Sequence, residues 1–171
     1  MVEVLLELAQ ADRRILRQFM ARLDVAVTAD ELVAATRQAI ADATAFDKRG
    51  INRNFAYDYQ AYGEVKRNLG RLIAGGELRL AMTLALELMK QGSYQVEMSD
   101  EGLMTEDIED CLSVVFQELK QGNLPADEVT AWCAAMRAQD RVGFIAREPL
   151  KALGSQTNQA RHDNPAAGTT L

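Results

Sequence analysis

The sequence predicts an all-α domain of about six to seven helices packed as antiparallel neighbours. Three observations carry this. The chain has only 11 Gly and 3 Pro in 171 residues, and the space between them is filled by runs of Ala, Leu, Glu, Arg and Gln, which lose little on entering a helix. Apolar side chains recur at intervals of three and four rather than two, which gathers them on one side of a helix. The β-branched residues are scattered where strands would need them clustered. At this length and 48% hydrophobic content, one core is expected, over residues 1–153.

The elements follow in order. Leu5, Leu8, Ile15, Leu16, Phe19 and Leu23 mark one face of a first helix, with Arg13, Arg14 and Arg17 largely opposite. Thr28 and Glu31 have the spacing of a capping box, in which each side chain satisfies the other's backbone N–H, and open a second helix running to about Phe46. Its alanines (Ala34, Ala35, Ala39, Ala41, Ala43) let a neighbouring helix come close. DKRGINRN, from Asp47 to Asn54, reads as a linker.

Tyr59, Tyr62, Val65, Leu69, Leu72 and Ile73 trace a third helix that stops at Gly75-Gly76. Gly63 and Gly70 lie inside it, and a glycine there costs up to about 1 kcal/mol relative to alanine. They imply either a break or close packing. A fourth helix from Glu77 is expected to end at Lys90-Gln91-Gly92, where glycine suits a left-handed C-cap. The same KQG recurs at Lys120-Gln121-Gly122 and reads as punctuation of two helix ends.

Thr105 is placed to cap a helix from Glu106 to Lys120, whose first turns crowd acids near the exposed N–H groups. Pro125 is expected to open the next helix, with Val129, Trp132, Cys133 and Met136 as its inner face. Phe144 and Ile145 continue the apolar pattern within DRVGFI, and Pro149 permits a further turn through Leu150 and Leu153. From Gly154 to Leu171 the sequence is polar and aperiodic, and a disordered tail is expected.

Charge and cysteine content bound the function. A net charge of -6 opposes binding of nucleic acid or anionic membrane over the whole surface. The distribution is uneven, with seven basic residues against three acids from Lys48 to Arg79, and ten acids against one lysine from Glu97 to Glu128. Cys111 and Cys133 sit amid apolar neighbours, and a chain this long needs no disulfide, so a reducing cytoplasmic setting is expected. The start MVEVLLELAQADRR does not resemble a secretory signal, and no uncharged apolar run approaches the roughly 18 residues of a membrane span.

The helix ending ALELMKQG, the acidic loop SDEG, the helix EDIEDCLSVVFQEL, the proline-started LPADEVTAWCAAM and the closing DRVGFI together resemble the helical-repeat region of bacterial SWIM-type zinc-finger proteins. The resemblance covers roughly the second half of the chain. It implies a stack of antiparallel helices similar to tetratricopeptide or HEAT-like arrays. Zinc binding does not carry over. A SWIM module needs a Cys-x-Cys pair followed by a Cys-x-His pair, and the chain has only Cys111, Cys133 and His162, none so spaced.

Two surfaces are candidates for recognition. Glu97, Asp100, Glu101, Glu106, Asp107 and Asp110 form an acidic patch suited to a basic protein partner. Ca²⁺ is disfavoured because no DxDxDG register is present and helix-start electrostatics explain several of these acids. Lys48, Arg49, Arg53, Lys66, Arg67 and Arg71, interleaved with Tyr57, Tyr59 and Tyr62, are the alternative, a grip on a nucleic-acid backbone. Burial of the tyrosines in the core is the simpler account of that pattern. No phosphate-cradling, dinucleotide, HExxH or GxSxG pattern occurs, and the sole His162 falls in the expected tail. The reading is therefore a non-catalytic helical adaptor without a cofactor; an enzyme built on carboxylates alone comes third.

Overall fold

The computed structural model describes residues 27–45, 58–99 and 105–163, the last stretch by backbone alone over 156–163. Among the described residues there are six α-helices and no strand: α1 Ala29–Ala43, α2 Tyr59–Ala74, α3 Leu78–Glu97, α4 Glu106–Leu119, α5 Ala126–Gln139 and α6 Arg147–Asp163. The helix expected before Thr28 and the linker at 47–54 lie outside the described residues.

The expected capping box opens α1. The Thr28 hydroxyl accepts the Glu31 N–H at 3.3 Å, and the Glu31 carboxylate accepts the Thr28 N–H at 2.9 Å. These bonds favour the ionised acid and hold the Glu31 carboxyl below its ordinary range. Of the alanines, Ala39 and Ala43 are buried, while Ala34, Ala35 and Ala41 face solvent. Asp58 caps α2, its carboxylate accepting the N–H groups of Gln60 at 3.0 Å and Ala61 at 3.2 Å.

α2 is unbroken through both of its glycines, and neither serves close packing. A Cβ at Gly70 would meet nothing within 4 Å, and one at Gly63 only the Arg67 guanidinium at 3.7 Å. Gly70→Ala should therefore raise stability by about 0.5–1 kcal/mol, since it restricts the unfolded chain without a clash. A shift of the urea midpoint to higher concentration at unchanged slope checks this.

The expected end of α3 at KQG is overturned. The helix runs through Gly92 to Glu97, because Gly92 is the buried point where α4 crosses: a Cβ there would lie 2.7 Å from Ile108 Cδ1. The second KQG is a true end, with Lys120 at the C-cap and Gly122 at φ 76°. Pro125 precedes α5 rather than forming its first turn, and Val129, Trp132, Cys133 and Met136 are all buried as expected. α6 does not stop at Leu153 but continues to Asp163. The disordered tail expected from the sequence covers 154–171, of which 154–163 belong to the backbone of α6. Residues 164–171 lie outside the described residues.

The helices pack as three hairpins, α1/α2, α3/α4 and α5/α6, laid side by side. The principal contacts join helices one or two places apart in the chain: α3 touches α1, α2, α4 and α5, while α2 touches α4 and α4 touches α6. This is the arrangement of stacked antiparallel helices that the sequence predicts. Polar ties set the register between successive hairpins. Arg37 pairs with Glu87, Lys66 with Asp110 and Arg79 with Glu128, and the Ser93 hydroxyl donates to the Gln139 carbonyl. The Trp132 indole donates to the Met82 carbonyl at 3.0 Å, and the Gln95 amide donates to the Ala43 carbonyl at 3.1 Å. These partners lie 44 to 52 residues apart in the chain, so each reaches one hairpin on. Leu69, Leu88, Leu112 and Met136 lie fully buried between the layers.

Candidate interaction surface

One end of the stack gathers the last turn of α3, the first turns of α4 and the loop from α5 to α6. The loop is folded by its first residue. Asp140 accepts the N–H groups of Val142 at 3.1 Å and Gly143 at 3.0 Å on one oxygen, and that of Ile145 at 2.9 Å on the other. Gly143 supplies the positive φ of 76° that the turn needs. Ala146 follows at φ 52°, uncommon for a residue with a Cβ. Its N–H donates at 3.3 Å to the Glu109 carboxylate, and the same oxygen accepts the Thr105 hydroxyl at 2.9 Å. Ile145 and Ala146 are buried, whereas Phe144 between these anchors remains 54% exposed. The expected continuation of the core through Phe144 is thus corrected, because the turn at Gly143 carries that one side chain outward.

Arg141 ties the loop to α3. Its guanidinium pairs with Glu97 and lies 5.1 Å from the centre of the Tyr94 ring, an arrangement that favours a cation over the aromatic face. Thr105 does not cap α4 as expected, since its hydroxyl donates to Glu109 instead of accepting a backbone N–H. Of the six acidic residues singled out in the sequence, Glu97, Glu106, Asp107 and Asp110 lie at this end, and Asp100 and Glu101 lie outside the described residues. Glu106 and Asp110 face solvent, while Asp107 and Glu109 are half-buried on the flanks. Asp110 is paired with Lys66 of α2 at 2.7 Å.

Two basic residues of the segment from Lys48 to Arg79 are tied to acids of the next hairpin. Lys66 pairs with Asp110 across the α2–α4 seam and Arg79 with Glu128 across the α3–α5 seam. Exposed pairs of this kind contribute little to stability and act mainly to set register. Arg67 and Arg71 are exposed on α2; Lys48, Arg49, Arg53 and Tyr57 lie outside the described residues. Tyr62 is buried with its hydroxyl donating to Gln95 at 2.9 Å, whereas Tyr59 is 69% exposed. Tyr59 and Tyr62 therefore do not share one stacking platform.

Both cysteines are buried and unpaired with each other. Burial pushes the Cys111 thiol up to about 12; Asp110 and Asp107 push the same way against a smaller opposing effect of Lys66. Its Sγ sits 3.2 Å from the Tyr62 carbonyl as a donor. Burial also raises Cys133, with Arg137 opposing. Neither thiol should react appreciably with a disulfide reagent at pH 8 until the protein unfolds, because burial disfavours the attacking thiolate and encloses the sulfur. Thiol titration before and after guanidinium addition checks this; rapid native-state labelling would contradict it.

Among the described residues, no group of three or more His, Cys, Asp or Glu side chains is arranged to hold a metal ion, and no helix is long and apolar enough to cross a membrane. The outlying signal that sequence reasoning missed is the Asp140-to-Gly143 spacing, which marks an Asp-folded turn and hence the outward Phe144. Comparison of the chain with family models, curated proteins and solved structures gives no match.

Proposed function

We propose that the chain is a non-catalytic helical adaptor that binds another protein through the end of the stack where α4 begins. Phe144 carries this reading. An aromatic ring held out to solvent by a loop bonded down on both sides has already lost much of the conformational freedom that binding would otherwise cost. The acids around the start of α4 supply a rim of negative potential, which favours a partner with a basic surface. The setting is the reducing cytoplasm, where two enclosed thiols have no disulfide to make. The layered hairpins act as the support that keeps this end in shape.

The test is affinity capture from the native host with the wild-type chain, with Phe144→Ala, and with Glu106→Lys combined with Asp107→Lys, each first shown by circular dichroism to be folded. A basic protein should be retained by the wild type, and Phe144→Ala should reduce its retention by about tenfold or more, as expected for an anchor residue. The charge-reversed protein should capture less and lose most of its dependence on salt. Equal retention of the same proteins by all three would overturn the assignment.

A further inference from the structure

We draw no further inference here: the strongest candidate, the solvent-facing alanines that α1 (Ala34, Ala35, Ala41) and α5 (Ala131, Ala134, Ala138) present to either side of α3, is a small-residue surface with nothing among the described residues to show what covers it.

Discussion

Trp132→Ala should cost about 3–5 kcal/mol, the range for removing a large aromatic side chain from a packed core, and should loosen the α5/α6 hairpin before the rest of the stack. Trp132 is 6% exposed and stands at the junction of three helices: it belongs to α5, donates to the Met82 carbonyl of α3, and meets Phe116 of α4 edge-on with ring centres 5.9 Å apart. Truncation leaves a cavity where the second hairpin meets the third. Trp132→Phe should cost much less, about 1–2 kcal/mol, because the ring contact survives and the Met82 carbonyl keeps the bond made within its own helix. Denaturant unfolding followed by circular dichroism gives the stabilities, since the variants remove the only tryptophan. Hydrogen exchange gives the location. In a stack where each hairpin leans on the next, amides of α5 and α6 should lose protection first while α1 and α2 retain theirs. An equal loss everywhere would mean that the six helices melt as one unit.

Gln95→Leu should be the second severe substitution, at about 2–3 kcal/mol, although it replaces a polar group with an apolar one of similar size inside the core. Gln95 is 2% exposed, and its amide serves three partners: it accepts the Tyr62 hydroxyl at 2.9 Å and donates to the carbonyls of Ala43 at 3.1 Å and Ala45 at 3.2 Å. The two carbonyls lie at the C-terminal end of α1, where the helix itself offers no donor. Leucine would leave buried groups without the bonds that offset their removal from water. The double variant with Tyr62→Phe separates this from a simple packing effect. It removes donor and acceptor together, so its cost should fall below the sum of the two single changes by about 1 kcal/mol. Strict additivity would show that the hydroxyl–amide bond contributes nothing.

Much of the fold was legible because local chemistry decides it. The apolar spacing of Ile108, Cys111, Leu112, Val115, Phe116 and Leu119 marks the buried face of α4 without reference to any other helix, and the Thr28–Glu31 box is complete within four residues. What escaped depended on distant neighbours. KQG occurs twice, and glycine serves both a left-handed turn and a close crossing. Only the position of Ile108 tells that Gly92 is the crossing and Gly122 the turn. Gln95 looks like an ordinary polar residue near a helix end until its partners on α1 and α2 are in place. The acidic residues were visible as a dense run, but the division of Asp110 towards Lys66 and Glu109 towards Ala146 follows from which helices flank α4. In the sequence Phe144 falls in with the core because its neighbour Ile145 belongs there; a single positive φ at Gly143 separates their fates.

The ties spanning 44 to 52 residues have a corollary for how such a chain can change length. Every one of them bridges adjoining layers and none skips a layer, so an added or deleted pair of helices would disturb only the seam where it entered. Among the described residues, a helix pair added at one seam is thus expected to remake the ties of that seam and to leave those of the other as they are.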